Sequence, residues 1–342
     1  MKLGLHTGYW ASGPPAGLAQ SIAMADELGL DSVWTAEAYG SDALTPLAWW
    51  GGQTTRVRLG TAVMQMAART PTAAAMAAIT MDHLSGGRFV LGLGVSGPQV
   101  VEGWYGQPYA QPLARTREYV QIVRAVFRRE PVTATGPHYP LPLPGGAGKI
   151  LRSTVHPLRP DLPIYLAAQG PKNTALAAEI ADGWLPAFFS PRLDAEARRH
   201  LATGFARRDA QLRPSSDFEV GACVPVALGP DVEHAAALLK PQLALYIGGM
   251  GSTARNFHRN AIERLGYHDV CVSIADHYQA GDTRAAAAAV PTDLVLDVAL
   301  AGNGGDLRHQ LRRWQSSCVT SLLLQTAPQS LTQVVAALRS DC

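Results

Sequence analysis

The stretch Lys2-Leu-Gly-Leu-His-Thr-Gly8 predicts a short β-strand, because its apolar residues alternate with small or polar ones. Residues 16–28 follow as a helix with one apolar face. That face is formed by Leu18, Ile22, Ala25 and Leu28. Gly29 stands where a glycine commonly ends a helix, and Ser32-Val-Trp-Thr-Ala36 predicts a second strand. A strand–helix–strand unit of this kind is typical of parallel α/β folds.

The unit repeats along the chain. Strands are predicted at residues 2–8, 32–36, 57–64, 88–93, 162–167, 183–185, 218–227 and 319–325. Helices are predicted at residues 16–28, 72–83, 113–128, 173–181, 194–213, 307–315 and 331–338. Eight strands in 342 residues favour a (β/α)8 TIM barrel, whose usual size is about 250 residues. The alternative, a doubly wound sheet, is disfavoured because residues 7–17 lack the G-x-G-x-x-G turn.

Two insertions enlarge the predicted barrel, and we expect residues 1–342 to form one domain. Residues 131–160 are crowded with proline and glycine and predict a long loop over one face. Residues 231–291 predict a largely helical insertion between the seventh and eighth strands. Its aromatic content predicts an ordered cap, because long connections are otherwise often disordered.

Composition and motif content exclude several classes of function. A formal net charge of +2 argues against a nucleic-acid binder, and no apolar run reaches the roughly 20 residues that span a bilayer. Four scattered cysteines with no C-x-x-C pair suit a reducing cytoplasm and no structural zinc: Cys223, Cys271, Cys318 and Cys342. H-E-x-x-H and G-x-S-x-G motifs are absent, so neither metal-dependent nor serine hydrolysis is expected. A cytoplasmic enzyme that acts on a small molecule without a metal is the expectation.

Two glycine-rich loops follow neighbouring strands at the end of the barrel where reactive groups collect. They contribute Gly94, Ser96 and Gly97 after the fourth strand, and Gln169, Gly170, Pro171 and Lys172 after the fifth. Glycine lets backbone N–H groups approach an anion, and a helix N-terminus attracts phosphate. Either loop alone could be only a tight turn. Together they predict an anionic ligand, most simply a phosphate.

Glu37 and His6 are the candidate catalytic residues. Glu37 ends an otherwise apolar strand and could donate or accept a proton, or it could pair with an arginine and only stabilise the barrel mouth. His6 should point inward from the first strand, as a satisfied core side chain or as a second candidate for proton transfer. Three tryptophans are expected to line an apolar substrate pocket: Trp10, Trp104 and Trp184.

Several segments together carry a resemblance to a known family. They are Val33-Trp-Thr-Ala-Glu-Ala-Tyr39, Leu59-Gly-Thr-Ala-Val-Met-Gln65, Leu84-Ser-Gly-Gly-Arg-Phe-Val-Leu-Gly-Leu-Gly94, residues 96–104, 168–173, 180–184, 246–251 and 256–258. The chain resembles the bacterial luciferase-like superfamily and, within it, the coenzyme F420-dependent oxidoreductases, which include methylenetetrahydromethanopterin reductase. The resemblance implies a TIM barrel, a homodimer and a flavin-type ring bound over the strand ends. The expected cofactor is F420, with FMN as the alternative.

The resemblance also implies residue roles. A cis peptide bond at Ala62–Val63 would support the ring, with Gln65 in the same site, and the Gly170–Lys172 loop would take the phosphate. Related sugar-phosphate and alcohol dehydrogenases carry an Asp-His pair after strand two, whereas this chain has Glu37-Ala38. The loop glutamate of the sugar-phosphate enzymes falls at Gly97. A reductase that passes hydride from reduced F420 to an unsaturated or imine-like substrate is therefore expected. The alternatives are an FMN-dependent monooxygenase and a cofactor-binding protein without turnover.

Overall fold

The computed structural model describes residues 1–250 and 256–339. Its strands are β1 (Lys2–His6), β2 (Ser32–Thr35), β3 (Arg58–Thr61), β4 (Met64–Gln65), β5 (Phe89–Gly94), β6 (Ile164–Ala167), β7 (Gly183–Leu185), β8 (Glu219–Leu228), β9 (Leu300–Gly302) and β10 (Ser321–Gln325). Two sets of residues named above lie outside the described ranges. One is residues 251–255 of the predicted insertion, which include Gly251 of the quoted 246–251 segment, and the other is Cys342.

The helices surround and cap these strands. They are α1 (Leu18–Glu27), α2 (Leu44–Gly51), α3 (Pro71–Leu84), α4 (Pro98–Gly103), α5 (Pro112–Phe127), α6 (Pro171–Ile180), α7 (Asp194–Phe205), α8 (Val232–Ala244), α9 (Phe257–Glu263), α10 (His268–Gln279), α11 (Thr283–Ala288), α12 (Thr292–Val298), α13 (Gly304–Gln315) and α14 (Leu331–Arg339). A π-helical turn, Leu245–Gly249, follows α8. No helix in the described ranges is both long and apolar enough to cross a membrane.

Eight parallel strands close into a barrel. Their order is β1-β2-β3-β5-β6-β7-β8-β10, and β10 pairs with both β8 and β1, which closes the ring. In register, Ser321 lies opposite Lys2 on one side and Gly221 on the other. The predicted TIM barrel is therefore confirmed. The two remaining strands extend the wall, because β4 pairs with β5 and β9 pairs with the end of β8.

Two aromatic side chains pack in the interior of the barrel together with the aliphatic side chains of Val90, Leu185 and Leu323. Trp34 and Tyr165 are almost fully buried, and their ring centroids lie 5.7 Å apart. Glycines on neighbouring strands make room for them: a Cβ at Gly60 would lie 2.3 Å from the Trp34 ring, and one at Gly183 would lie 2.7 Å from Tyr165. The middle of the barrel is thus a packed core rather than a channel.

Charged side chains close the N-terminal end of the barrel beneath this core. Arg58 donates from Nη1 and Nη2 to the Glu219 carboxylate at 3.0 and 2.9 Å, and Lys2 Nζ lies 3.0 Å from the same carboxylate. Arg58 also pairs with Asp31 and lies 3.4 Å from the Tyr165 hydroxyl. These contacts join β1, β3, β6 and β8 at the floor.

The predicted strand over residues 57–64 is interrupted at Ala62. The peptide bond Ala62–Val63 is cis, as the resemblance implied, and separates β3 from β4. At this break, the Thr61 side chain makes the hydrogen bonds to β5 that the backbone of a continuous strand would make. Its Oγ1 donates to the Gly92 carbonyl at 2.7 Å and accepts from the Gly92 N–H at 3.0 Å. The single predicted strand was wrong because a side chain takes over the hydrogen bonds of the backbone.

Other element boundaries also differ from the sequence prediction. Helix α7 ends at Phe205 rather than at 213, and the chain then turns, with Asp209 Oδ1 accepting from Gln211 N at 2.8 Å. Helices α2 and α4 and strand β9 were not predicted. The 231–291 insertion is largely helical in its described part, as predicted. Its helices share an apolar core with β8 and β9 that includes Leu243, Ile262, Ile274 and Val290.

Candidate active site

A cavity of about 770 Å³ lies over the C-terminal ends of the strands. Most of the predicted site residues line it: His6, Glu37, Ala62, Val63, Gln65, Gly94, Ser96, Gly97, Trp104, Gln169 and Gly170. The other predicted residues, Trp10, Pro171, Lys172 and Trp184, are not among the residues that line it. In residues 1–250 and 256–339, no group of three or more His, Cys, Asp or Glu side chains is arranged to hold a metal ion.

His6 is buried and both of its ring nitrogens are engaged. The Gly8 backbone N–H donates to Nδ1 at 3.1 Å, so Nδ1 accepts, and Nε2 donates its proton to the Ala62 carbonyl at 3.1 Å. Burial lowers the pKa of His6, and the hydrogen bond to Ala62 acts in the opposite direction. This neutral ring holds the carbonyl of the cis peptide. Its geometry is that of a satisfied structural side chain.

Glu37 is also fully engaged. Arg69 Nη1 lies 2.9 and 3.0 Å from its two carboxylate oxygens, and the Gln65 backbone N–H donates to Oε2 at 2.8 Å. The Glu37 side chain is 4% exposed and Arg69 is 22% exposed, so the ion pair is shielded from water. Of the two roles considered for Glu37, these contacts favour bracing the barrel mouth.

Two glutamines present unpaired oxygens. Gln65 Nε2 donates to the carbonyls of Glu37 and Ala38 at 3.1 and 3.2 Å, which leaves its buried Oε1 without a partner among the described residues. Gln169 Nε2 lies 3.1 Å from His258 Nδ1, and Gln169 Oε1 is likewise buried and unpartnered there. Both glutamines line the cavity. Because buried acceptors are normally satisfied, these oxygens indicate a ligand with donor groups.

The loop after β5 approaches the cis segment closely. A Cβ at Gly94 would lie 2.4 Å from Val63 Cγ2, so only glycine fits there. Ser96 has φ of 58°, a left-handed conformation that is rare for residues other than glycine. Phe188, which also lines the cavity, has a positive φ as well, of 50°. Strained backbone of this kind commonly occurs at ligand sites.

Of the three tryptophans predicted to line the substrate pocket, Trp10 and Trp184 do not line the cavity. Trp184 is buried in the core, donates from Nε1 to the Ala168 carbonyl at 2.8 Å and packs against Phe189. Its neighbour Leu185 lines the cavity instead, since consecutive strand residues face opposite sides. Trp10 packs against Trp50, with ring centroids 5.7 Å apart. Trp104 lies at the cavity rim, 64% exposed.

Most of the aromatic wall that the sequence analysis missed comes from the 231–291 insertion, and Phe188 joins it from the loop after β7. The rings of Tyr246 and Phe188 both pack edge-on against His258, with centroids 4.9 and 5.7 Å away. Asn256 fixes this wall by donating to the carbonyls of Tyr246 and Ile247 at 2.9 and 3.0 Å. Burial lowers the pKa of His258 to about 4. The quoted segments 246–251 and 256–258 contained this signal, but no role was assigned to them.

Hydroxyl and thiol groups collect elsewhere in the cavity. The Tyr9 and Tyr246 side chains hydrogen-bond to each other through their hydroxyls, either of which can be the donor. Burial raises the pKa of Tyr246 well above its ordinary value and that of Cys223 to about 12. Cys223 Sγ lies 3.8 Å from Gln325 Oε1. These groups are therefore neutral donors at physiological pH.

Pro171 and Lys172 line a second cavity, of about 490 Å³, between the outer helices α5, α6 and α7. Gly170, immediately before them, lines the main cavity. The loop is thus shared between two cavities, and the Lys172 side chain lies on the outer side of it. The predicted contact between Lys172 and a phosphate in the main cavity has no support from this placement.

Comparisons with known proteins agree with the fold and with the earlier resemblance. Residues 3–321 match the family described as luciferase-like monooxygenase. A protein of Mycobacterium tuberculosis named "Putative coenzyme F420-dependent oxidoreductase" is 52% identical over 99% of both chains. A 5,10-methylenetetrahydromethanopterin reductase of Methanolobus tindarius is 27% identical over 91% of this chain and 90% of its own.

The fold also matches a solved structure. The coenzyme F420-dependent tetrahydromethanopterin reductase from Methanopyrus kandleri superposes with a TM-score of 0.81 at 20% identity, over 98% of this chain and 97% of that one. At 20% sequence identity, this structural similarity supports the fold and nothing further. The family match is broader evidence, because it covers residues 3–321 of this chain. The chain belongs to the luciferase-like monooxygenase family, in the branch of the coenzyme F420-dependent oxidoreductases.

Proposed function

We propose that this chain is an F420-dependent reductase, which passes a hydride from reduced F420 to a small unsaturated or imine-like organic substrate. The observation that carries the direction is the chemistry of the cavity walls. They offer neutral tyrosine hydroxyls as proton donors, whereas every basic side chain of the described cavity residues is engaged or weakened.

The residues of the cavity fit the proposed cofactor. The pyrimidine edge of a deazaflavin carries an N–H donor, and the buried Oε1 atoms of Gln65 and Gln169 lack donors. The close approach of Gly94 to Val63 shapes the backbone wall between them. We propose that Ala62, Val63, Gln65, Gly94 and Gln169 hold the ring. The loops at Ser96, Gly97 and Gly170 would face its phosphate-bearing chain.

The basic side chains of the cavity support the proposed direction of hydride transfer. Dehydrogenation of an alcohol needs a group that accepts its proton. Among the described cavity residues, the basic side chains are His6, Glu37 and His258. The first two are bonded at both polar atoms, and a pKa of about 4 makes His258 a weak base. Reduction needs a proton donor instead, which Tyr9 can supply.

Reduction of a double bond adds a hydride to one atom and a proton to the other. Bound reduced F420 would supply the hydride. Tyr9 would donate the proton, and the Tyr246 hydroxyl, already hydrogen-bonded to Tyr9, would return one to it before exchange with solvent. The aromatic wall of Phe188, Tyr246 and His258 would exclude water and orient the substrate.

Two measurements test this proposal. Tryptophan fluorescence quenching should show tighter binding of F420 than of FMN, and reduced F420 should be reoxidised by unsaturated or imine acceptors, followed at its visible absorbance. Tighter FMN binding would instead favour a monooxygenase. Binding of F420 without oxidation of its reduced form by any acceptor would favour a protein without turnover, and rapid reduction of F420 by alcohols would reverse the proposed direction.

A further inference from the structure

We propose that the second cavity, between α5, α6 and α7, binds the oligoglutamate tail of the cofactor. The inference rests on the proposed function, because it assumes that F420 occupies the main cavity. It assigns a ligand class, a short flexible chain of carboxylates, to a surface site whose role is otherwise unexplained.

Cations dominate the polar wall of this second cavity. Arg117, Lys172 and Arg207 line it together with one carboxylate, Glu179, and with His200. Leaving His200 aside, three positive charges face one negative charge. The remaining wall is largely apolar and includes Leu113 and Leu176, against which the methylene groups of a ligand can pack. The net charge of this wall suits an anion with several carboxylates.

The positive charges of this second cavity are only partly balanced by the single carboxylate that pairs with them. Arg117 Nη2 lies 2.8 Å from Glu179 Oε1, and Arg207 Nε lies 3.4 Å from Glu179 Oε2, so one carboxylate is divided between two guanidiniums. Lys172 makes no hydrogen bond or ion pair with any described residue. Each guanidinium therefore keeps donors that a second carboxylate can use, and Lys172 keeps all of its donors.

The two cavities adjoin at the start of α6. Gly170 lines the main cavity, whereas Pro171 and Lys172 line the second one. The stretch before α5 is divided in the same way, with Tyr109 on the main cavity and Leu113 on the second. A Cβ placed on Gly170 would meet no atom within 4 Å, so space is open there. A chain leaving the main cavity between these two stretches reaches Lys172 first.

The chemistry of F420 matches this path. Its ring carries a side chain with one phosphate, followed by γ-linked glutamates, each of which adds a carboxylate. A phosphate near Gly170 in the main cavity would leave the glutamates to continue outward. Lys172, Arg117 and Arg207 would then meet carboxylates of the tail rather than the phosphate.

The test compares three ligands by fluorescence titration: oligoglutamyl F420, the same molecule without glutamates, and the ring with only its ribityl chain. We expect wild-type protein to bind the oligoglutamyl form about two- to tenfold more tightly than the form without glutamates. That advantage should disappear at high salt, because the contacts are half-exposed. The affinity for the ribityl form should be insensitive to salt.

Two variants should change the affinity in opposite directions. Lys172→Glu should weaken oligoglutamyl binding by about tenfold, because attraction becomes repulsion. Glu179→Gln should strengthen it by about two- to fivefold, because both guanidiniums are released for the ligand. Neither variant should change the affinity for the form without glutamates. Lys149→Glu, at an exposed lysine that lines neither cavity, is the matched control and should have no effect.

Equal wild-type affinities for the forms with and without glutamates would overturn the inference and leave the proposed function intact. The same conclusion follows if both variants shift the two forms equally, since the second cavity would then act on the phosphate or on stability. Failure of all three deazaflavins to bind would overturn the proposed function and this inference with it.

Discussion

Glu37 is a residue whose surroundings decide between two roles. Its carboxylate accepts from Arg69 and from the Gln65 backbone N–H. In Glu37→Gln an amide NH2 replaces one of these acceptors. We expect the free energy of unfolding to fall by about 1–3 kcal/mol, while turnover of the folded protein stays within severalfold of wild type.

Urea denaturation and turnover on one preparation check this prediction. Glu27→Gln, at an exposed position on α1, should change neither quantity. A Glu37→Gln protein of normal stability that loses about 10²–10⁴ in turnover would instead make Glu37 the proton donor.

Tyr9 is the residue on which the proposed chemistry depends. Tyr9→Phe removes the hydroxyl that we propose as the proton donor but leaves the ring. We expect turnover to fall by about 10²–10⁴ with an F420 affinity close to wild type. Tyr246→Phe removes only the group behind it and should cost less. Turnover and fluorescence titration of both variants check this, and an unimpaired Tyr9→Phe protein would remove Tyr9 from the mechanism.

His258 links acid pH to stability. Its pKa is lowered by burial to about 4 in the folded chain, against an ordinary value of 6.5. Between pH 4 and pH 6.5, His258 is therefore protonated in the unfolded chain but neutral in the folded chain. The free energy of unfolding should therefore fall as pH drops from 6.5 to 4, by at most about 1.4 kcal/mol per pH unit for this residue. The lowered pKa of His6 acts in the same direction.

Chemical denaturation across this pH range measures the slope. His258→Phe keeps an aromatic ring without the titration and should give a shallower slope. His156→Phe, at an exposed position, should retain the wild-type slope. Identical slopes in all three proteins would mean that the acid sensitivity arises elsewhere.

At the scale of elements, Thr61 joins β3 to β5 where the ladder is interrupted. Thr61→Val keeps the shape but leaves the buried N–H and carbonyl of Gly92 without this partner. We expect a loss of about 1–3 kcal/mol in the free energy of unfolding. Thr80→Val, at an exposed position on α3, is the control and should be nearly neutral. Equal melting temperatures for wild type and Thr61→Val would contradict this role.

The barrel strands could be predicted because their apolar runs and the glycines between them are local signals. Short elements without periodicity could not. Strand β9 has three residues and forms only because β8 extends beyond the barrel to pair with it. The break in the 57–64 strand depends on a contact between Thr61 and Gly92, which are 31 residues apart. The local sequence of residues 57–64 therefore contains no signal that predicts it.

The site was predictable where it consists of strand-end loops and unpredictable where it depends on side-chain direction. His6 and Glu37 line the cavity as expected, but their partners, such as Arg69, became visible only in three dimensions. Trp184 was assigned to the pocket by residue type, whereas the alternation along β7 points Leu185 there instead. The wall at Tyr246 and His258 is assembled by insertion helices distant in sequence from the strands.

At the scale of the whole molecule, we propose that the chain forms a homodimer through its outer helices α2 and α3. Trp49, Met76 and Leu84 on these helices are 76%, 62% and 75% exposed, an unusual set of large apolar side chains to leave in water. α2 follows β2 and α3 follows β4, so the two helices take consecutive positions around the outside of the barrel.

Size-exclusion chromatography with light scattering tests this. We expect the wild-type mass to be that of a dimer and the double variant Trp49→Lys, Met76→Lys to have the mass of a monomer. Leu238→Lys, on helix α8 and 60% exposed in wild type, should leave the dimer intact. A monomeric wild type at micromolar concentration would exclude the proposed interface.

The closed floor of the barrel has a consequence for the order of events in a catalytic cycle. Trp34, Tyr165 and the Arg58–Glu219 pair close the described barrel beneath the cavity, so ligands reach it from the C-terminal ends of the strands. Two ligands that enter through the same opening cannot exchange with solvent independently, because the outer ligand blocks the path of the inner one. If the ring occupies the deeper position, product must depart before the spent cofactor is replaced. Product-inhibition patterns would then be those of an ordered sequence, and a random-order pattern would show that the ring can leave while the substrate pocket is filled.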